Sequence, residues 1–123
     1  MAREIDIAQE VAAPGTIIPT ASGRNFAASG GVAESVRIRL KDASKLRPAV
    51  INGLNKAGMK QLTQYGKIQA GEIPYTDDCP NLIEVMACEG GCISGPCVIT
   101  NPKIATIQLK KYVESGAEDF NIN

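Results

Sequence analysis

The chain has 123 residues, of which 44% are hydrophobic and 21% are charged, and its formal net charge is zero. This length allows one domain with its own core and no more than one, and the composition excludes a disordered tail. The scattered lysines and arginines, together with only three tyrosines and two phenylalanines, argue against nucleic acid as a partner.

Residues 1–23 have weak organisation, because Pro14-Gly15 and Pro19 interrupt two short apolar stretches. We expect extended segments or loop over this weakly ordered N-terminal segment. The charged residues 1–6 lack the apolar segment of a signal peptide, and no later apolar run approaches the ~20 residues needed to span a bilayer. We therefore expect a cytoplasmic protein with no membrane partner.

A helix is predicted after Gly30-Gly31, because the apolar residues that follow recur at helical spacing and form one inward face. These residues are Val32, Val36, Leu40 and Ala43. A competing signal is the strict alternation of Val36, Ile38 and Leu40 with arginines between them, which would fit a half-buried strand. Helix is the better interpretation, given the resemblance described below.

The segment Ser29-Gly30-Gly31 has a second interpretation as a phosphate cradle, because free amides at a helix start attract anions. This signal is weak, since the full Gly-x-Gly-x-x-Gly spacing is absent and no clear parallel strand precedes the segment. Close packing of the helix start is the better explanation for the glycine pair.

A short apolar run at residues 48–51 predicts a strand, and Asn52-Gly53 predicts the turn after it. Asn55 can then cap a helix that continues to about residue 69, where Gly71 stops it. Four apolar side chains are expected on the buried side of this helix. They are Met59, Leu62, Tyr65 and Ile68.

Residues 72–81 are rich in proline and aspartate and predict a connection to a second apolar strand at residues 82–86. Asn101 predicts the start of a last helix that Gly116 ends, and residues 117–123 are expected to fray. Its apolar face comprises Ala105, Leu109, Tyr112 and Val113. The order strand, helix, strand, helix favours an α/β fold of parallel strands flanked by helices and joined by right-handed crossovers.

The segment at residues 84–92 is the most informative one, because an apolar strand runs directly into two cysteines embedded in glycines. Gly90-Gly91 allow the backbone to turn tightly enough to aim the sulfurs of Cys88 and Cys92 inward, which suits a buried iron–sulfur centre. Thiolates are soft ligands that select zinc, copper(I) or iron–sulfur clusters. The turn also lies at the carboxyl end of a strand, where open α/β sheets usually bind ligands.

The ligand set of this turn is incomplete. A four-cysteine zinc site would need Cys79, which lies beyond the other end of the predicted strand, roughly 20 Å away at ~3.3 Å per strand residue. The turn itself offers Cys88 and Cys92, and at most Cys97 in addition. Ordinary buried thiols are the plainer interpretation, and a disulfide between Cys92 and Cys97 is a further one. Four unevenly spaced cysteines fit a reducing compartment.

Three segments resemble the catalytic domain of FeFe (iron-only) hydrogenases. Residues 84–95 are similar to its last cysteine signature, Met-x-Cys-x-x-Gly-Cys within Glu-Val-Met-Ala-Cys-x-Gly-Gly-Cys. Residues 26–36 resemble its Phe-Gly-x-Thr-Gly-Gly-Val-x-Glu-Ala segment, and residues 48–54 resemble its Val-Val-Asn-Gly-Leu strand and turn. The three matches occur in the family's order and together cover most of residues 22–115.

The resemblance implies that residues 1–123 are a single partial domain, a small three-layer-type α/β domain that forms the C-terminal half of the hydrogenase catalytic domain. In that family the H-cluster is a four-iron four-sulfur cubane joined through a cysteine sulfur to a di-iron unit. Carried over by position, Cys88 is a cubane ligand, Cys92 is the ligand that bridges to the di-iron unit, and Met86 packs beside the cluster. The family's first two cysteine signatures are absent from this chain.

Two departures from the family pattern point to a divergent branch of sensory type. Glu89 stands where the hydrogen-metabolising enzymes commonly have proline, and Cys97 lies in a turn that is usually rich in glycine. The chain has no histidine to act as a neutral-pH general base, so we assign it no catalytic acid or base.

The resemblance therefore implies a fragment of an iron–sulfur oxidoreductase domain, for hydrogen activation or sensing, that is inactive alone. Expected partners are the remaining part of the domain, a ferredoxin-type electron carrier and further copies of the chain, since an incomplete domain exposes apolar surface. A start at Met1 in mid-domain favours a piece of a longer chain or a split gene. The alternative is a metal-free or zinc-binding structural and interaction module derived from the same fold.

Overall fold

The computed structural model describes residues 17–116, 118 and 119. Four α-helices and two strands occur in this part of the chain, with short 3-10 turns at Asn25–Ala27 and Cys92–Ser94. In chain order they are α1 (Ala21–Arg24), α2 (Gly31–Arg39), β1 (Pro48–Asn52), α3 (Lys56–Gln69), β2 (Leu82–Met86) and α4 (Pro102–Glu114). No helix in the described residues is both long and apolar enough to cross a membrane.

The two strands form a parallel pair at the centre of this arrangement, with a register that runs from Pro48 opposite Leu82 to Asn52 opposite Met86. Side chains alternate between faces along each strand, so Ile51 and Glu84 point to opposite sides. Glu84 binds the start of α2. On the other side, Ile51 packs against α3. The predicted α/β fold, with parallel strands flanked by helices, is confirmed.

Asparagine side chains start both long helices, as the sequence predicts. The Asn55 side chain accepts hydrogen bonds of 3.0 Å from two backbone N–H groups in the first turn of α3. The Asn101 side chain accepts one of 3.0 Å from Lys103 at the start of α4. These bonds satisfy amides that have no partner within the helix, which explains the match between predicted and observed helix starts.

Helix α2 is confirmed as a helix, but its predicted inward face is wrong. Its buried residues are Gly31, Ala33 and Ser35, whereas Leu40 is exposed and follows the last helical residue. Small residues face inward because the segment that precedes α2 lies very close to the helix. A Cβ atom on Gly31 would lie 2.0 Å from the backbone oxygen of Asn25.

The hydrophobic core of the described residues is small, and Ile51, 1% exposed, is its one large fully buried side chain. Ala33 and Ala105 are the other buried apolar residues. The predicted buried faces of α3 and α4 are correct only in part, because Met59 and Tyr112 are both 50% exposed. The sheet contributes further exposed apolar residues, which are Val50, Ile83 and Val85.

A polar cluster joins the two ends of the described chain. Residues 21–24 form helix α1, so the prediction of extended segments or loop over residues 1–23 is wrong for residues 21–23, and residues 1–16 lie outside the described residues. The buried Ser22 donates through its hydroxyl and its backbone N–H to the carboxylate of Asp119. Arg39 lies 3.4 Å from the same carboxylate. The prediction of a fraying tail is therefore wrong for Asp119.

Candidate functional site

The turn that follows β2 carries the two cysteines of the predicted site. Gly90 and Gly91 adopt φ angles of +86° and +91°, a left-handed region that residues with a side chain rarely enter. The Gly91 N–H donates to the carbonyl of Cys88 at 3.1 Å, which closes the turn. The glycine pair thus makes possible the sharp reversal between Cys88 and Cys92.

On one side, the turn is held by the connection that follows β1. The side-chain oxygen of Asn52 accepts a hydrogen bond of 2.6 Å from the Gly90 N–H. The next two backbone N–H groups donate to carbonyls of Met86 and Ala87, at 3.0 and 3.1 Å. The pairing of the two strands is in this way continued into the cysteine turn.

On the other side, the turn contacts the segment that precedes α2. Ala28 and Gly91 form an antiparallel bridge, and the Ser29 N–H donates to the Gly90 carbonyl at 3.3 Å. A Cβ atom on Gly91 would lie 2.4 Å from the Ala27 carbonyl oxygen, so only glycine fits. The structure therefore brings together all three segments that carry the family resemblance, with the cysteine turn between the other two.

Glu84 is a buried residue of this region that the sequence analysis did not single out. Its side chain lies in the middle of β2, where the residue is 6% exposed. One carboxylate oxygen accepts from the Gly30 N–H at 2.8 Å, and the other accepts from the Ala33 N–H at 2.7 Å. The negative charge that suits the amides of a helix start is thus supplied by the protein itself. A single acid within an apolar strand was the available signal.

The two cysteines of the turn differ in their surroundings. Cys88 is half-buried, and its sulfur lies 3.5 Å from where a Cβ on Gly95 would be, so glycine at this position leaves that side of the sulfur uncovered. Cys92 is exposed, whereas the sequence predicts that both sulfurs of the turn point inward. It borders an open cavity of about 420 Å³. Apolar residues of this cavity are Ala27, Ile93, Val98, Ala105, Leu109 and Tyr112.

Met86, the third predicted site residue, ends β2 two positions before Cys88 and is half-buried. Side chains alternate along a strand, so Met86 lies on the same face of the sheet as Glu84. This is the face that α2 covers. Its proposed packing beside a cluster stays a prediction.

The remaining two cysteines lie apart from this pair. Cys79 precedes β2, at the end opposite to Cys88, and hydrogen bonds from the side chain and backbone of Thr76 lower the pKa of its thiol. Cys97 is exposed, and all four cysteines are free thiols rather than disulfides. Within the described residues, no three His, Cys, Asp or Glu side chains are grouped so that they could hold a metal ion.

The donor set fits part of an iron–sulfur site. Two thiols on one rigid turn supply soft ligands, and Gly95 leaves space beside the Cys88 sulfur. The cavity next to Cys92 is lined mostly by apolar side chains and is open to solvent. Two thiols would meet only part of the ligand set of such a cluster, which usually has four cysteines.

Comparison with known proteins identifies one family. A model of the family described as iron only hydrogenase large subunit, C-terminal domain matches residues 2–96. The match includes the three converging segments and both cysteines of the turn, whereas Cys97 and helix α4 lie beyond it. No curated protein and no solved structure gave a match.

Proposed function

Because the chain belongs to the family of the iron-only hydrogenase large subunit, C-terminal domain, we propose that it supplies two cysteine ligands to an H-cluster-type iron–sulfur centre. The observation that carries this proposal is the convergence of three segments on the turn of Cys88 and Cys92. A turn braced on both sides keeps two sulfurs in one arrangement before any metal binds, which favours ligand binding through preorganisation.

The family pattern, carried over by position, assigns the roles. Cys88, half-buried beside Gly95, would hold the cubane, and Cys92, at the open cavity, would be the ligand shared with the di-iron unit. Met86 would pack beside the cluster. When bound, such a cluster supplies the heterolytic splitting of hydrogen. The chain itself holds the sulfurs and lines one side of Cys92 with an apolar wall, and it has no histidine for proton transfer at neutral pH.

The proposed partner is the remaining part of the hydrogenase-like domain. Two thiols leave a four-iron cluster short of ligands, so the others have to come from that part. Parallel sheets are normally covered on both faces, yet Val50, Ile83 and Val85 are 39–42% exposed here. The same exposed surface supports self-association of the isolated chain. A ferredoxin-type electron carrier would then serve the assembled domain.

The isolated chain is proposed to be inactive, and the assembled domain to belong to a sensory branch. The assignment to a sensory branch is supported by Glu89, which departs from the family pattern and is exposed in the turn between the two ligands. A carboxylate at this position adds negative charge next to a cluster that is itself bound by thiolates. We expect this charge to favour the oxidised cluster.

The experiment is reconstitution with iron and sulfide without oxygen, followed by iron and acid-labile sulfide analysis and a visible absorption spectrum. Cys88→Ala and Cys92→Ala are compared with wild type, and Cys79→Ala and Cys97→Ala serve as matched controls. Loss of the coloured species in the first pair alone supports the proposal.

Equal loss in all four variants would contradict the assigned ligands. No iron in any of them, with four titratable thiols and no gain when the rest of the domain is added, would favour the alternative of a metal-free module. Binding of zinc alone at the same turn would favour the zinc-binding form of that alternative.

A further inference from the structure

The start of helix α2 lacks the usual local cap. The N-cap residue, Gly30, has a φ of +90°. Because glycine has no side chain, it offers no side-chain acceptor to the amides of the first turn. The two carboxylate oxygens of Glu84 take these bonds instead, at 2.8 and 2.7 Å, from a position more than fifty residues away in the sequence.

The same helix start is also attached to the cysteine turn. Gly30 follows Ala28 and Ser29, which bind Gly91 and Gly90 through the antiparallel bridge and the 3.3 Å hydrogen bond. Glu84 lies four residues before Cys88 on the strand that leads into this turn. It therefore joins the strand before the turn to the segment that braces the turn from the side.

We infer that Glu84 is a positioning residue for the cysteine ligands, and that it acts as a helix cap supplied from another element. The inference rests on the proposed function and deepens it, since it assigns the group that holds Cys88 and Cys92 in place. Glu84 touches neither sulfur in this arrangement. It acts through the Gly30 and Ala33 amides and through the bridge to Gly91.

An exposed acid of the same helix provides the matched control. Glu34 lies in the first turn of α2, and its carboxylate pairs with Arg37 at the surface. Removal of Glu34 changes the charge near the helix start by the same amount as removal of Glu84. The control separates the general effect of charge on the helix dipole from the specific link to the strand.

The test is the alkylation rate of each cysteine by iodoacetamide in the full chain at neutral pH, without metal, measured by mass spectrometry. Glu84→Ala leaves one buried and one partly buried amide without this acceptor, and we expect Cys88 to react about tenfold faster as the turn opens locally. Glu34→Ala should change this rate less than about twofold. The Cys79 rate, at the far end of β2, is the internal reference.

Chemical rescue separates positioning from general packing. The Glu84→Ala site has room for a small carboxylate, so sodium formate should return the Cys88 rate toward that of wild type, whereas sodium chloride at equal ionic strength should not. If Glu84→Ala loses its helical circular dichroism, Glu84→Gln replaces it, with about a threefold acceleration expected because one acceptor is retained.

An unchanged Cys88 rate, an equal acceleration of all four thiols, or rescue by chloride as well as by formate would overturn the inference. None of these results depends on iron. Failure of cluster binding in a chain with selective Cys88 acceleration would count against the proposed function alone. Normal cluster binding with no acceleration would count against the role of Glu84 alone.

Discussion

The cysteine turn and the sheet that leads to it are held together by different means. The turn is fixed by backbone hydrogen bonds on two sides. It also has glycine where its backbone lies against the backbone of the segment before α2. The sheet buries one large apolar side chain, Ile51, and leaves others partly exposed. The geometry of the turn thus depends little on a hydrophobic core, whereas we attribute the missing coverage of the sheet to the proposed partner.

The largest expected effect is a break in the turn by Gly91→Ala. The new Cβ would lie 2.4 Å from the Ala27 carbonyl oxygen at a φ of +91°, so we expect a loss of about 3 kcal/mol or more. The measurement is urea unfolding followed by circular dichroism. Gly66→Ala is the control, because this exposed helical glycine has open space around it and should gain about 0.5 to 1 kcal/mol. Equal stability of the two variants would contradict the close contact between Gly91 and the Ala27 carbonyl oxygen.

The next effect concerns the core of the sheet. Ile51→Ala removes the one large buried side chain and should lower the free energy of unfolding by about 3 kcal/mol. Val85→Ala, 42% exposed on the same face, should cost less than about 1 kcal/mol in the isolated chain. Comparable losses for both variants would mean that the Val85 side chain is already covered in solution, for instance by a second copy of the chain.

A smaller effect sharpens the contrast between the two ends of the sheet. Asn52→Ala removes the acceptor of the Gly90 N–H and should cost about 1 kcal/mol, with faster amide exchange at Gly90. Asn81→Ala removes bonds to the backbone of Arg47 and Lys45 at the opposite end. We expect a similar loss of stability there, but faster alkylation of Cys88 only in the first variant. Faster alkylation of Cys88 in both variants would mean that the two ends of the sheet do not open independently.

The smallest effect is the weakening by acid of the contact between Asp119 and Ser22. Hydrogen bonds from the Ser22 hydroxyl, the largest cause, and from its backbone N–H lower the pKa of Asp119, as does nearby Arg39. A pKa lowered by folding stabilises the folded state above the ordinary aspartate value of about 3.9, and the effect is lost as the pH falls through the folded pKa. Wild type should therefore lose stability relative to Asp119→Asn below about pH 4, as thermal unfolding would report. If the stability of wild type and of Asp119→Asn changed with pH in the same way, the contact between Ser22 and Asp119 would be contradicted.

The local elements could be predicted because their signals lie within a few residues. Asn55 and Asn101 were identified as helix caps from their positions ahead of apolar repeats, and the structure confirms both. Gly90-Gly91 indicated a tight turn, and the φ angles confirm it. The inward face of α2 was predicted wrongly, since the apolar pattern suggested valines and leucine whereas Gly31, Ala33 and Ser35 are buried.

The sequence by itself determined the type and order of the elements from α2 onward, the parallel α/β arrangement and the turn with two thiols, because capping, periodicity and glycine conformation are local properties of the chain. Only the tertiary structure decided that Glu84 caps α2, that Asn52 braces the turn and that Cys92 is exposed. Each of these depends on which distant backbone groups lack a partner and on what packs against a given face. Local sequence patterns do not encode that information.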